Sequence, residues 1–268
     1  ALNRRPIRFL RPSLTLIGNF DMYTAVLLAA PAARNLDPAL VESLRNAWGG
    51  GDAVWLSPDE AAEFPMAVIP DKLADEAGVG ARVKDITARA MNGELDFDGA
   101  LRERVGLLKG LPESVIAKVL AERITLMPGG PVLLATMKGQ GGYAALVSGG
   151  FTAFTSSVAA TLGFDENRAN TLLVSGQQLT GEVGVPILGK QAKVDALEEI
   201  TARLGISEAD VIAVGDGAND LGMLTRAGLG VALHAKPSVA AQCNVRINFG
   251  DLTALLFVQG YPASEFVT

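Results

Sequence analysis

Short apolar runs alternate with amphipathic stretches over the second half of the chain. From Leu126 onward, runs such as residues 143–147 and 211–214 are long enough for buried strands, and apolar residues at helical spacing separate them. Strands that are joined through helices pair in parallel, because a parallel connection has to cross from one end of the sheet to the other. The pattern therefore predicts an α/β core with a parallel sheet over residues 126–268.

A helical segment precedes this core. Apolar residues recur every three or four positions, as at Val83, Ile86 and Ala90, and Gly93 and a later Gly-Leu-Pro sequence interrupt the pattern. This spacing predicts a small group of helices, which we place over residues 72–125.

The N-terminal part, residues 1–71, is predicted to be a separate small α+β region. Apolar runs at residues 24–30 and 53–56, with a helical pattern at 38–48 between them, indicate a βαβ arrangement. Residues 1–21 are rich in arginine and almost free of acids, which is typical of a transit peptide. We expect this first stretch to be an extension of little functional weight.

Composition and charge narrow the classes of function. The 268 residues carry a formal net charge of −6 without a basic patch in the body of the chain, which argues against nucleic acid as the main partner. No apolar run approaches the ~18–20 residues of a membrane span. The single cysteine, Cys243, fits a reducing cytoplasm and is expected to be unreactive, and the single histidine, His234, is expected to make a loop contact.

The most informative stretch follows the apolar run 211–214. Residues 215–220 have the sequence Gly-Asp-Gly-Ala-Asn-Asp and lead into a helical pattern, so two acids lie in a turn at the carboxyl end of a strand. Ligands bind at this edge in open α/β sheets. Asp216 and Asp220 are four residues apart, so one helical turn would direct both carboxylates at one point, which suits Mg²⁺. The alternative is a solvated helix N-terminus, where Asp and Asn are common.

The apolar run at residues 143–147 leads into a predicted phosphate site. Ser148, Gly149 and Gly150 follow that run and precede a helical pattern, so a hydroxyl and several backbone N–H groups are available to a phosphate. Lys193 lies near the start of a predicted helix over residues 191–204, where its ammonium group can neutralise a phosphoryl oxygen. The alternative for Lys193 is a solvated surface position.

Several short segments occur in a fixed order along the chain: AMNGELDF, LRERVGLLKGLP, LVSGGF, LTGEV, GDGANDL and AGLGVALHAKP. This ordered set, between about Leu73 and Leu256, resembles the haloacid-dehalogenase-like phosphatases and, within them, the phosphoserine phosphatases. The resemblance implies a Rossmann-like core, a helical cap over residues 72–125 and an ACT-like half domain before the cap. It also implies magnesium-dependent hydrolysis of O-phospho-L-serine to serine and phosphate through an aspartyl-phosphate, the last step of serine biosynthesis.

The same resemblance assigns roles to individual residues. Asp216 is expected to bind Mg²⁺ directly, and Asp220 to act through water or to orient the other ligands. Ser148, Gly149 and Lys193 are expected to hold the phosphoryl group. The remaining expected substrate contacts are Asn219, Arg104 for the serine carboxylate, and Met91 and Phe97 for an apolar wall.

Some alternatives stay open at this point. Periodicity does not distinguish Arg102 from Arg104, and only the resemblance selects Arg104. Met91 and Phe97 fit the interior of the cap as well as a substrate pocket. Another small phosphomonoester would require the same phosphate and metal residues, and the sequence does not decide between a monomer and a homodimer.

The nucleophile motif of the family, Asp-x-Asp-x-Thr after the first core strand, is missing. Residues 96–101 imitate it, but no apolar strand precedes them and Ala100 replaces the threonine, so we reject them. The motif should come before Leu73, where a strand, a loop and a helix start of roughly fifteen residues would be needed. We expect the protein to contain further residues near 71–73 that the sequence as read omits. The alternative is a true internal deletion, which would leave an inactive phosphoamino-acid-binding protein.

Overall fold

The computed structural model describes residues 14–17, 26–28, 73–74, 76–91 and 94–268. The helix predicted over residues 38–48 and the strand predicted over 53–56 lie outside this part of the chain, so the ACT-like region stays a prediction. Within the described part, no helix has both the length and the apolar character needed to cross a membrane.

Two short strands precede the cap in the sequence, β1 (Leu14–Ile17) and β2 (Val26–Leu28). Three helices then form the cap: α1 (Gly80–Met91), α2 (Phe97–Gly106) and α3 (Ser114–Arg123). This confirms the helical pattern of the sequence.

The cap is attached to the core by buried apolar side chains. Asp96 begins α2 by accepting a hydrogen bond from the Gly99 N–H at 2.7 Å, which satisfies one of the free donors of the first turn. Side chains of α2 and α3 then pack with two phenylalanines of the core in one cluster. Its larger members are Leu101, Val105, Leu108, Val119, Phe151 and Phe154.

The core follows the cap and is built mainly from alternating strands and helices. Its elements are α4 (Gly130–Gly139), β3 (Tyr143–Phe151), α5 (Thr152–Leu162), β4 (Glu166–Asn170), β5 (Leu172–Ser175), β6 (Gln178–Val183), α6 (Lys190–Leu204), β7 (Val211–Gly215), α7 (Leu221–Arg226), β8 (Leu229–Leu233), α8 (Pro237–Ala240), β9 (Val245–Ile247) and α9 (Ala254–Val258).

The main sheet has the strand order β4-β3-β1-β2-β7-β8-β9. Every strand except β2 runs parallel to the others; β2 is antiparallel to β1, β3 and β7. In register, Leu16 of β1 pairs with Ala145 of β3, and Leu27 of β2 pairs with Ala213 of β7. The predicted α/β class with a parallel sheet is therefore confirmed.

Helices cover both faces of this sheet, as a parallel sheet requires. Alternate residues of the central strands point to opposite faces, so that Leu146 and Ile212 join one apolar cluster while Ala145 and Ala213 join the other. All five residues of β7 and of β8 are buried. Burial on both faces explains why these strands are continuous apolar runs rather than alternating ones.

One part of the core departs from the predicted alternation. β5 and β6 form a separate antiparallel pair, joined by a tight turn in which Gly176 and Gln177 have φ values of 56° and 63°. Positive φ at both central residues is the geometry of a two-residue hairpin turn. The hairpin is bonded to the cap, because the Gly110 N–H donates to the Leu179 oxygen and the Leu179 N–H to the Leu111 oxygen, each at 2.8 Å.

The N-terminal expectations need correction. Residues 26–28 fall within the strand predicted at 24–30, but they join the core sheet rather than a separate unit. Residues 14–17 belong to the stretch expected to carry little functional weight, and they also pair with core strands. Residues 71–73 are consecutive in the sequence, and the additional residues expected there stay a prediction.

Close backbone packing at Gly230 gives a stability prediction. A Cβ at Gly230, in β8, would lie 2.1 Å from the backbone oxygen of Leu224, and backbone cannot move aside as a flexible side chain can. We expect Gly230→Ala to lower the free energy of unfolding by roughly 3 kcal/mol, the upper part of the usual range for overpacking. Urea denaturation measures this. Gly139→Ala is the control, since a Cβ there meets nothing within 4 Å. Equal midpoints for the two variants would contradict the packing argument.

Candidate active site

The predicted phosphate and metal residues lie at the carboxyl ends of two strands of one sheet. Ser148 lies in the second half of β3, and Asp216 directly follows β7. Both strands run parallel to β1, so their carboxyl ends lie at the same edge. This is the edge at which ligands bind in open α/β sheets.

The turn after β7 folds back on itself around Asp220. A Cβ at Gly215 would lie 2.5 Å from the Cβ of Asp220, so only glycine leaves room for that side chain beside the strand end. Asp220 is fully buried, and its Oδ2 accepts hydrogen bonds from the N–H groups of Asp216 at 3.3 Å and Gly217 at 3.1 Å. The carboxylate therefore holds the turn in shape and places Asp216 at the sheet edge.

A buried ion pair connects this turn to helix α6. Lys193 lies in the first turn of α6 with only 2% of its surface exposed, and its Nζ donates to the Oδ1 of Asp220. The two buried charges compensate each other, whereas either one alone would be costly. The solvated position that the sequence left open for Lys193 is wrong. An ammonium group has three N–H donors, so Lys193 can also donate to a phosphoryl oxygen.

Residues 148–150, which we call the phosphate segment, differ in detail from their prediction. β3 does not end before Ser148 but continues to Phe151, with an irregular pairing to β4 after Val147. Ser148 is buried, and its Oγ accepts a hydrogen bond from the Gly150 N–H at 2.9 Å. This bond takes up one of the N–H groups that the sequence analysis assigned to the phosphate. The Ser148 hydroxyl hydrogen and the Gly149 N–H are the candidate donors.

Phe97 brings the cap onto this segment. A Cβ built on Gly149 would lie 3.5 Å from the ring, and one built on Gly189 would lie 3.3 Å from it, so the ring lies against the backbone of both glycines. The side chain is 40% exposed. Phe97 is therefore not an interior residue of the cap; it covers the phosphate segment while keeping part of its ring open.

The structure gives fewer contacts for the other residues that are expected to bind the substrate. Arg104 lies two turns after Phe97 on the same face of α2, is half-buried, and donates from Nε to the Ala100 oxygen at 3.1 Å. Asn219 is half-buried in the turn after β7, where its Oδ1 lies over Gly217. Met91 is the last residue of α1, and its side chain is outside the described part. The substrate roles of these residues stay predictions.

The donor set at the edge fits a magnesium ion with one protein carboxylate. Both oxygens of Asp220 are taken by Lys193 and by backbone N–H groups, which agrees with an orienting role rather than direct ligation. Within the described residues, no cluster of three acidic, histidine or cysteine side chains could hold a metal. Mg²⁺ commonly takes one or two carboxylates together with phosphate oxygens and water, and Asp216 can supply one.

One residue at the site was missed by the sequence analysis. Asn170 is the last residue of β4 and is 1% exposed, and its side chain connects the phosphate segment to the segment before α6. Its Nδ2 donates to the oxygens of Gly149 at 2.9 Å and Leu188 at 3.2 Å. Its Oδ1 accepts a hydrogen bond from the Leu188 N–H at 2.7 Å. An amide at the carboxyl end of a strand was the available signal, but nothing in the local pattern indicates its partners.

His234 and Cys243, which were not expected to take part in catalysis, have the surroundings that the sequence predicts. His234 follows β8, and its Nε2 lies 2.9 Å from the Gly250 oxygen, which confirms the predicted loop contact. Cys243 is buried, and burial raises the pKa of its thiol above the usual value, which agrees with an unreactive side chain.

Comparison with known proteins identifies the family. Residues 69–225 match the haloacid dehalogenase-like hydrolase family. This chain is a haloacid dehalogenase-like hydrolase. Ser148, Lys193, Asp216 and Asp220 all lie within the matched part.

Several curated relatives of this haloacid dehalogenase-like hydrolase are named phosphoserine phosphatases. That of Haemophilus influenzae is 45% identical over 186 residues, which cover 69% of this chain and 59% of the relative. That of Streptococcus thermophilus is 46% identical over 182 residues, covering 68% of this chain and 84% of the relative. Four relatives are matched over only 47–59% of their own length, so the chain spans about half of those proteins.

Similar solved structures support the same family assignment. An unliganded probable phosphoserine phosphatase from Vibrio cholerae superposes with a TM-score of 0.68 at 41% identity, covering 71% of this chain and 59% of the other. A substrate-bound phosphoserine phosphatase complex superposes with a TM-score of 0.65 at 41% identity, covering 70% of this chain and 90% of the other.

The buried ion pair gives a prediction that is independent of turnover. Lys193→Met leaves the Asp220 carboxylate buried without its cation, so we expect the free energy of unfolding to fall by about 3–5 kcal/mol. Lys138→Met is the control, because Lys138 pairs with Asp165 at a partly exposed position where an ion pair contributes at most about 1 kcal/mol. Urea denaturation compares the two. A loss at Lys193 no larger than at Lys138 would show that the pair does not organise the turn.

Proposed function

We propose that this hydrolase acts on O-phospho-L-serine, releasing L-serine and inorganic phosphate in a magnesium-dependent reaction. The observation that carries the proposal is the sheet edge itself. There the Ser148–Gly149 segment, the buried Lys193 and the carboxylate of Asp216 belong to one parallel sheet and the helix packed on it. The names of the relatives supply the substrate, and the chemistry of this edge supports a phosphate ester.

The phosphoryl group is the part of the substrate that this edge is built to bind. The Ser148 hydroxyl and the Gly149 N–H would donate to phosphoryl oxygens, and the Lys193 ammonium would offset their charge in a site shielded from water. Asp216 would hold Mg²⁺, which supplies further neutralisation of the charge that develops on the phosphoryl group.

The serine part of the substrate would lie on the cap side. Arg104 would pair with the substrate carboxylate, for which a planar guanidinium is the matching donor. Phe97, which already covers Gly149, would form the apolar wall. Met91 is the second residue expected to contribute to this wall. Asn219 would contact the substrate from the core side.

Turnover needs a nucleophile in addition to the residues of this edge. The resemblance implies an aspartate that attacks phosphorus and a second aspartate that protonates the leaving serine. The sequence is continuous through residues 71–73. In residues 96–101, which only imitate the nucleophile motif, Asp96 caps α2 by accepting a hydrogen bond from the Gly99 N–H. This observation favours a second candidate function, binding of a phosphoamino acid without hydrolysis.

Two measurements on one preparation separate these candidates. Phosphate release from O-phospho-L-serine with and without Mg²⁺ reports turnover, and calorimetric titration with the same compound reports binding. Release that depends on Mg²⁺ supports the hydrolase. Binding without release supports the second candidate, and absence of both contradicts the proposed site. Panels of other small phosphomonoesters would test the substrate.

The role in serine biosynthesis, a cytoplasmic location and a homodimer stay predictions.

Asp216→Asn tests the metal role. The amide keeps the size of the side chain but removes its charge, so we expect magnesium-dependent phosphate release to fall by roughly a hundredfold or more, as for loss of a major electrostatic contributor. Asp195→Asn, an exposed position on α6, is the control and should leave release unchanged. Circular dichroism checks the fold of both. An Asp216→Asn protein with undiminished magnesium-dependent release would remove Asp216 from the metal site.

Arg104→Ala tests the carboxylate role, and Arg102→Ala is its matched control because Arg102 is an exposed arginine two residues away on the same helix. Loss of a charged hydrogen-bonding partner should weaken binding of O-phospho-L-serine roughly tenfold or more. Binding of O-phosphoethanolamine, which lacks the carboxylate, should change little. Calorimetric titration of both compounds measures this. Equal weakening for the two compounds, or an equal effect at Arg102, would exclude the role.

A further inference from the structure

Asn170 uses most of its hydrogen-bonding capacity on the backbone of two segments that flank the candidate phosphate site. Its two N–H donors reach the Gly149 and Leu188 oxygens, and its Oδ1 accepts the Leu188 N–H. A buried amide can make about four such bonds, so three are satisfied. At 1% exposure, the side chain has little competition from water.

The first segment contains the peptide unit between Gly149 and Gly150, which is held at both ends. Its carbonyl accepts from Asn170 at 2.9 Å, and its N–H donates to the Ser148 Oγ at 2.9 Å. A trans peptide is planar, so fixing the direction of the carbonyl also fixes the direction of the N–H. The position of the Ser148 oxygen, and with it the direction left for the hydroxyl hydrogen, therefore depends on Asn170.

The second segment leads directly to Lys193. Leu188 precedes Gly189, the N-cap residue of α6, and Lys193 lies in the first turn of that helix. Asn170 holds both the N–H and the carbonyl of Leu188, so it determines where the helix starts relative to β4. The Phe97 ring lies against Gly149 and Gly189, and so covers the same two segments.

We propose that Asn170 is a positioning residue that sets the Ser148 hydroxyl and the Lys193 ammonium at the separation a phosphoryl group requires. It does not contact the phosphate. The proposal rests on the proposed function only in that this edge binds phosphate; it does not require turnover.

Inorganic phosphate is the probe, and amide resonances of ¹⁵N-labelled protein are the readout. Asn170→Asp is nearly the same size, but it removes both N–H donors and places one carboxylate oxygen against the Gly149 and Leu188 carbonyls. We expect the dissociation constant for phosphate to rise roughly tenfold or more, the usual consequence of losing buried hydrogen bonds. We also expect the Gly150 amide resonance to shift in the phosphate-free protein, because its bond to Ser148 is disturbed.

Asn167→Ala is the matched control. Asn167 lies on the same strand, but its Oδ1 accepts from Thr155 of α5 at 2.9 Å and does not reach the phosphate segment. Its phosphate affinity should stay within about twofold of the unaltered protein, as expected for a change away from the site. If Asn170→Asp does not fold, Asn170→Ser, which keeps a short donor, takes its place with the same expectation.

The outcomes distinguish the two proposals. Weaker phosphate binding with a shifted Gly150 amide, in a variant whose other resonances are retained, supports positioning by Asn170. Unchanged phosphate affinity in a folded Asn170 variant overturns it while leaving the phosphate site in place. An unaltered protein that shows no amide shifts with phosphate contradicts both the site and the inference.

Discussion

The buried ion pair between Lys193 and Asp220 is the interaction on which the candidate site depends. It joins the helix α6 to the turn after β7, and both charges lie out of contact with water. A charge in such a position is tolerated only with its partner present, so the pair requires the helix and the turn to stay together. Because Asp220 also accepts two backbone N–H groups, the same carboxylate keeps Asp216 at the sheet edge.

Close approach of backbone to backbone makes this arrangement possible. Gly215 leaves room for the Asp220 side chain, and Gly228 and Gly230 leave none for a Cβ beside Ala209 and Leu224. These glycines bring β7, β8 and the adjoining helix nearer than larger residues would. The burial of the ion pair is therefore a consequence of tight packing around the parallel strands, and the functional edge and the core are stabilised together.

The candidate site and the first two strands of the sheet come from different parts of the chain. The candidate phosphate residues Ser148 and Lys193 and the candidate metal ligand Asp216 lie within the part matched by the family, residues 69–225. The resemblance places the family's nucleophile after a first core strand, and the strands that lie between β3 and β7 here are β1 and β2. The cap reaches this edge through Phe97, whose ring lies against Gly149 and Gly189.

The sequence by itself determined the α/β core, the helical character of the cap and the loop contact of His234, because apolar periodicity and glycine-bearing turns are local signals. It also selected Asp216 and Lys193, but not the pairing of Lys193 with Asp220, which are 27 positions apart. Only the tertiary structure decided that pairing, the place of the strands β1 and β2 in the sheet, and the bonds of Asn170. Partners distant in the sequence are chosen by packing and by the need to satisfy buried polar groups, and no local pattern records them.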